Sequence, residues 1–376
     1  MSDVAVRRIV AVLTCVLGAG AGAGEVQPPQ ESAALSGIVQ AAHEAGKFDG
    51  VMLVARGEQV LYEGAVGLAD REQARRHTVE APFRWASVTK QVTALLVMQE
   101  VEAGRLSLQG TIRQYLPAFR GPSGDRVTLQ QLLQHTAGLP NPSDTPAGAD
   151  GMPAFYKSTG ASEGDSLAAA TGLCSGAPKR EPGKSFEYNN CDSFVLGAIL
   201  EKVTGKPYAQ LVRERLSRPL GLSSLGLFTA KTSKPLSGVV GYTGPKEREP
   251  QVNMATYGPS GSLYGTVRDL WKLDRALMSY QLLSKASSET MWKGEPSLGY
   301  VALGAWAYPA SLKGCEGPVA VVERQGHIGG IRVLNVFVPS KQVALIAMSN
   351  HESTDYGAVW AGKGLTYDVL RATLCP

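Results

Sequence analysis

Histidine is scarce in this chain, and cysteine is no commoner: of 376 residues, five are His and five are Cys. The histidines are scattered and the cysteine spacings match no zinc pattern, so a metallo-hydrolase would lack clustered ligands. Neither a resident metal nor an organic cofactor is expected. Charge of one sign is missing too. Lys and Arg number 37 against 33 Asp and Glu, a net charge of +4, with no basic block, and nucleic acid is therefore not an expected partner. Beyond the N-terminus no apolar run is long enough to span a bilayer. The longest candidate, Val333–Met348, is broken by Pro339-Ser340-Lys341 and reads as a hairpin. No internal repeat is found.

What is present begins at the N-terminus. Arg7 and Arg8 precede the apolar run Ile9 to Leu17 and the small residues Gly18 to Gly24. A basic start, a short apolar centre and an Ala-x-Ala-like exit predict a cleaved secretory signal over residues 1–24, and so a secreted or periplasmic protein with no stable membrane span after cleavage. Four cysteines remain: Cys174, Cys191, Cys315 and Cys375. In an oxidising compartment an even count favours disulfides. Of the three connectivities, Cys174–Cys191 and Cys315–Cys375 are preferred, the first closing a short loop and the second fastening the C-terminus.

The chain is long enough to bury a large core. Helical periodicity marks residues 31–46, a run from Ser87 to Ala103, Val127–Gln134, Asp192–Val203, Tyr208–Leu216, Val267–Met278 and about Tyr356–Leu374. Strands are predicted at Gly50–Ala55, Gln59–Gly67, Ala302–Tyr308, Val319–Arg324, Gly330–Val338 and Val343–Met348. Residues 141–184 are rich in Gly, Pro, Ser and Ala with little periodicity, and a loop of that length is usually functional or disordered. Strands near both ends enclosing a helical middle predict an α+β fold: one antiparallel sheet built from both termini, flanked by helices, with a mostly helical second lobe. The expected division is residues 25–376 as one catalytic domain, its sheet lobe about 31–80 and 300–376, its helical lobe about 81–299.

Three short segments carry chemistry. Ser87-Val88-Thr89-Lys90 opens a helix, which puts Ser87 at or near the N-cap with Lys90 on the same face. A serine hydroxyl needs a base, and a lysine of depressed pKa can serve; the positive helix start and the Ser87 amide favour a developing oxyanion. Alone, the pair reads as well as an N-cap serine and a solvated lysine. Tyr188-Asn189-Asn190 lies in a polar turn, where a tyrosine can relay protons and an asparagine amide can hold a carbonyl or an amine; Asn-Asn is equally a common turn. His327-Ile328-Gly329-Gly330 heads the strand that follows, with glycines that allow close backbone approach; in isolation His327 reads as structural.

In combination the segments say more. Ser-x-x-Lys, Tyr-x-Asn and Lys/His-x-Gly each occur once, in that order, on a helix start, a turn and a strand. The chain resembles the penicillin-recognising serine hydrolases, in the branch of class C β-lactamases, D-alanyl-D-alanine carboxypeptidases, D-aminopeptidases and related esterases. Leu132–Pro140 is similar to that family's Leu-Leu-x-His-Thr-Ser-Gly-Leu-Pro segment, and Gly261–Thr266 to its Gly-Gly-Leu-Tyr-Ser-Thr segment. The resemblance implies a β-lactamase/transpeptidase-like fold. It implies that Ser87 is acylated, that Lys90 takes its proton, and that Tyr188 shares the proton traffic. Asn190 would orient the substrate amide, and the amides of Ser87 and Gly330 would form the oxyanion hole. His327 and Gly329 would line the opposite wall, while His135 holds its own turn.

Two departures bear on substrate. Tyr188 stands where class A β-lactamases have Ser-Asp-Asn, and His327 stands where typical β-lactamases keep a lysine. A mostly neutral histidine suits a substrate carboxylate poorly, so small amides, D-amino-acid peptides or esters are favoured. A β-lactamase proper, or a slowly deacylating penicillin-binding or ligand-sensing protein, are the alternatives. An α/β-hydrolase esterase is set aside for want of its nucleophile elbow. The expected partner is a small-molecule or peptide substrate; oligomeric state is unknown from sequence.

Overall fold

A computed structural model describes residues 30–157, 165–229, 236 and 238–375. The predicted signal, residues 1–24, lies outside the described residues. The sheet has six antiparallel strands: β1 (Gly50–Arg56), β2 (Gln59–Val66), β3 (Trp306–Ala310), β4 (Val319–Ile328), β5 (Ile331–Val338) and β6 (Val343–Ser349). Their order is β2-β1-β6-β5-β4-β3, which pairs the N-terminal hairpin with the last strand of the chain.

The central strands β1, β5 and β6 read as nearly continuous apolar runs because both faces of the sheet are covered there. Side chains alternate across a strand. Val51, Leu53, Val333, Phe337, Ile346 and Met348 therefore join the core beneath the central helices. Their neighbours Met52, Val54, Leu334, Val336, Leu345 and Ala347 join a second core. Two helices close that second side, α1 (Gln30–Glu44) with Leu35 and Val39, and the C-terminal helix Leu365–Leu374 with Val369 and Leu370.

The central helix α2 (Thr89–Glu102) is buried on nearly every side although its sequence mixes apolar and polar residues. Its polar residues have partners: Thr93 Oγ1 donates to the Pro259 carbonyl at 2.7 Å, and Thr89 Oγ1 accepts from the Leu263 amide at 3.2 Å. The helix α3 (Asn190–Thr204) starts on Asn189, whose side chain accepts from the Cys191 amide, and ends at Gly205 in the left-handed conformation.

Both preferred disulfides are present, Cys174–Cys191 and Cys315–Cys375, with Cα separations of 5.4 and 4.9 Å. Three predicted elements shift. The strand expected over Ala302–Tyr308 begins only at Trp306, because Gly304 (φ 78°) turns the chain just before it and gives its amide to the Leu133 carbonyl. The C-terminal helix begins at Leu365 rather than near Tyr356, since Gly362 and Gly364 hold positive φ. Within 141–184, single helical turns and the short helix Ser166–Thr171 interrupt the irregular chain.

Candidate active site

Ser87 does not cap α2. It lies inside a 3₁₀ turn, Ala86–Val88, that runs directly into the helix. Ala86 before it has φ 47°, a left-handed conformation costly for a residue with a Cβ. The neighbouring chain holds it there: the Trp85 amide donates to the Leu263 carbonyl at 2.8 Å, and the Val88 amide to the Trp85 carbonyl at 3.0 Å. The turn presents the Ser87 hydroxyl at a cleft of about 380 Å³ lined also by Tyr188, Trp306, Glu323, Arg324, Gln325, Gly326, His327 and Trp360.

Lys90, one turn on, is buried beneath Ser87. Its Nζ donates to Asn190 Oδ1 at 2.6 Å, to the Ser260 carbonyl at 2.9 Å and to Ser87 Oγ at 3.3 Å. The first two partners are pure acceptors. They hold two amine hydrogens whatever the charge, so the third position, aimed at Ser87, carries a hydrogen in the ammonium and a lone pair in the amine. Burial, reinforced by the nearby Arg324 cation, lowers the Lys90 pKa to about 8.

Tyr188 comes from the turn before α3. Its hydroxyl donates to Ser87 Oγ at 2.6 Å and accepts from Arg324 Nη2 at 2.8 Å. Burial alone pushes this phenol up, but the charges of Lys90 and Arg324 outweigh it and bring its pKa down to about 8. Asn190 is held at both ends of its amide: Oδ1 takes Lys90, and Nδ2 donates to the Tyr156 hydroxyl at 2.5 Å. The 141–184 segment thus reaches the site through Tyr156, which stacks on Tyr257 with ring centroids 4.1 Å apart. Beneath Tyr188 lies His135 (ring centroids 4.7 Å apart), whose Nδ1 is 2.8 Å from Asp192 Oδ2. Burial holds His135 well below its ordinary value.

The third wall differs from the expectation. His327-Ile328-Gly329-Gly330 does not head a strand; His327 and Ile328 end β4, and Gly329-Gly330 form the turn into β5. His327 lines the cleft, with Nε2 2.9 Å from the Gly329 carbonyl, and burial together with Arg332 keeps it below the usual histidine value. Gly329 and Gly330 are not among the residues that line the cleft with Ser87. The Gly330 amide donates to Glu249 Oε2 at 2.9 Å, so the donor assigned to it in an oxyanion hole is already engaged elsewhere.

The residues that meet Ser87 stand three positions earlier. Arg324 is buried, and its Nε donates to the Ser87 carbonyl at 2.9 Å while Nη2 holds Tyr188. A Cβ on Gly326 would lie 2.3 Å from the Trp85 carbonyl oxygen and 3.2 Å from the Ser87 nitrogen. Only glycine lets this strand approach so closely. Ladder alternation adds a donor. The two-residue turn makes Ile328 and Ile331 the closing pair. The N–H groups of Gln325 and His327 therefore point away from β5, off the edge left free where β3 stops pairing at Glu323.

Arg324-Gln325-Gly326 has the same cation-x-Gly spacing, with an arginine in place of the lysine or histidine of the pattern. Ser260 offered no such signal, since it acts through a backbone carbonyl. The spacing Gly-x-Ser-x-Gly does occur, at Gly160–Gly164, and it lies outside the described residues.

A sheet built from both chain ends, a buried lysine under a helix-start serine and a tyrosine in contact with that serine are features of a class of serine hydrolases. The chain belongs to the β-lactamase family: the family model named Beta-lactamase matches residues 35–365. Among curated relatives it is 27% identical over 306 residues to a putative penicillin-binding protein, PbpX, of Bacillus subtilis, covering 81% of this chain and 71% of that one. To Esterase EstB of Burkholderia gladioli it is 34% identical over 205 residues, about half of each chain (52% and 51%). Among solved structures, D-amino acid amidase from Ochrobactrum anthropi superposes with a TM-score of 0.73 over 92% of this chain and 99% of that one, at 21% identity, a likeness of fold.

Proposed function

We propose that this is an exported serine hydrolase that works through an acyl-enzyme on Ser87, acting on esters, small amides or D-amino-acid peptides. The observation that carries the reading is the Lys90 amine. Two fixed acceptors hold it so that its remaining position faces Ser87 Oγ, and its pKa is lowered to about 8, near the working range of a general base. Lys90 takes the Ser87 proton as Oγ attacks the substrate carbonyl. The oxyanion that forms lies between the amides of Ser87 and His327, the latter taking the place first assigned to Gly330. Tyr188, in contact with Ser87 Oγ, protonates the leaving group and is resupplied by Lys90. Water then releases the acyl group by the reverse route. Asn190 acts as the anchor of Lys90, rather than on substrate, and His327 and Gly326 form the wall along which substrate lies. Residues 1–24 serve as the export signal and residues 25–376 as one catalytic domain of a sheet lobe and a helical lobe.

The named activity of EstB supports an ester substrate. Arg324 bears on β-lactams differently from the neutral histidine expected there: the position holds a permanent cation, but its guanidinium faces Tyr188 and the Ser87 carbonyl, leaving it poorly placed for a substrate carboxylate. Incubation with a fluorophosphonate, a penicillin and a chromogenic short-chain ester, followed by intact-protein mass spectrometry, tests the reading. Wild type gains one adduct and turns over the ester with little penicillin turnover; Ser87→Ala gains none. Equal labelling or turnover of both proteins overturns it, and rapid penicillin turnover makes the protein a β-lactamase instead.

A further inference from the structure

Glu323 lines the same cleft as Ser87 yet takes no part in the proton transfer just described. It is only 6% exposed, and burial lifts its carboxyl above the usual carboxylate range. Two neutral groups hold it. The Tyr308 hydroxyl donates to Oε2, and Gln325 Nε2 donates to Oε1 at 2.7 Å. Among the described residues it has no ion-pair partner, an expensive arrangement for an acid inside a protein. Glu100, by contrast, lies within 2.6 Å of both Arg105 and Arg215, although the buried Asp274, held by Asn335, shares with Glu323 the lack of an ion-pair partner among the described residues.

The surroundings of Glu323 suit a cation. Trp306 is its cross-strand partner on the same face of the sheet, and its indole already carries the Arg324 guanidinium 5.2 Å from the ring centroid on the nucleophile side. Trp360 stands at the cleft mouth, 67% exposed, with its ring against Tyr308 at 5.5 Å. A single exposed indole needs no explanation by itself; Trp360 matters here because it lines one cleft with Trp306 and Glu323. Two indoles beside a buried carboxylate are a receptor for an organic ammonium ion.

We infer that Glu323, Trp306 and Trp360 form a subsite for an ammonium group carried by the substrate, away from the scissile bond. Distance selects which ammonium. Glu323 stands three residues along β4 from Gly326, the residue abutting Ser87, which is roughly 10 Å of extended strand. The cation is therefore several bonds from the reacting carbonyl, on an ω-amino acyl chain or an aminoalkyl leaving group. An α-ammonium, adjacent to the carbonyl, does not reach it.

This inference rests on the acyl-serine reading, and its test separates the two. The rates compared are those for p-nitrophenyl 6-aminohexanoate and its neutral isostere p-nitrophenyl heptanoate, and for butyrylcholine and 3,3-dimethylbutyl butyrate. In wild type at least one pair favours the cation in kcat/KM by ~10-fold or more. Glu323→Gln brings that ratio to about one, and Trp360→Ala, at an exposed position that folding tolerates, lowers it severalfold. A p-nitrophenyl α-amino ester shows no such dependence on Glu323. If the neutral esters are not hydrolysed in a Ser87-dependent way, the hydrolase reading fails. If they are, but neither pair favours the cation in wild type, or the preference survives both substitutions, the subsite alone is overturned.

Discussion

At Lys90 and Tyr188 two ordinary residues are made unusual by what surrounds them. Each has its pKa brought to about 8, the lysine by burial with help from Arg324, the tyrosine by Lys90 and Arg324 against burial. Their hydroxyl and amine meet at one serine, so they titrate as a couple. In the mechanism proposed above, the active form is the couple that has lost one proton, with an amine to accept from Ser87 and a phenol to donate to the leaving group. That form is most populated around pH 8, and kcat/KM follows a bell with its top there, rising from the acid side as Lys90 is freed and falling beyond as the phenol is lost. Arg324 lowers both pKa values. Arg324→Gln therefore moves the whole bell to higher pH, besides reducing its height, and stopped-flow or steady-state profiles from pH 6 to 11 check the sign. A profile with the same midpoints in both proteins would remove Arg324 from the electrostatic account.

Among the elements, β4 and the 3₁₀ turn before α2 make the contact that matters most. Their backbones meet at Gly326, where a methyl group would press on the Trp85 carbonyl at 2.3 Å. Backbone cannot yield as a side-chain tip can. Gly326→Ala should displace the turn by a fraction of an ångström and take Ser87 with it. The expected result is a fall in kcat/KM of ~10²-fold, since a misplacement of that order spoils attack geometry, with a stability loss of about 1–3 kcal/mol from overpacking. Kinetics and a denaturant melt read both numbers. Wild-type kinetics in that variant would show that the strand and the nucleophile are not rigidly coupled.

Across the molecule the two disulfides bind different parts to the frame. Cys174–Cys191 spans 17 positions and ties the end of the long loop to the residue after Asn190; Cys315–Cys375 spans 60 and ties the C-terminal helix to the segment between β3 and β4. By chain entropy the shorter loop contributes about 3 kcal/mol and the longer about 4 kcal/mol. Urea unfolding of the Cys315→Ala/Cys375→Ala protein should show the larger loss of stability, with catalysis intact under native conditions because that bridge lies on the far side of the sheet from Ser87. The Cys174→Ala/Cys191→Ala protein should lose less stability but more activity, as Asn190 holds Lys90. The opposite ranking of activities would place the site's rigidity elsewhere.

Much of this was legible in one dimension. The apolar strands near both termini and the helical middle imply a sheet closed by the chain ends, because period-two and period-3.6 patterns depend only on local geometry. The segments that carry Ser87, Lys90, Tyr188 and Asn190 stood out because each is short and locally spaced, and four cysteines left only three pairings, of which the preferred one is present. Two things needed the folded chain. Cation-x-Gly occurs with His327 and with Arg324 three residues earlier on the same strand; which one meets the nucleophile depends on the register of β4 against β5 and on where β3 ends. Glu323 carries no motif at all. It acquires meaning only because strand alternation sets it beside Trp306 and the C-terminal segment brings Trp360 across the sheet. Local spacing specifies elements and the motifs within them, whereas contacts between residues distant along the chain are settled only when the whole core packs.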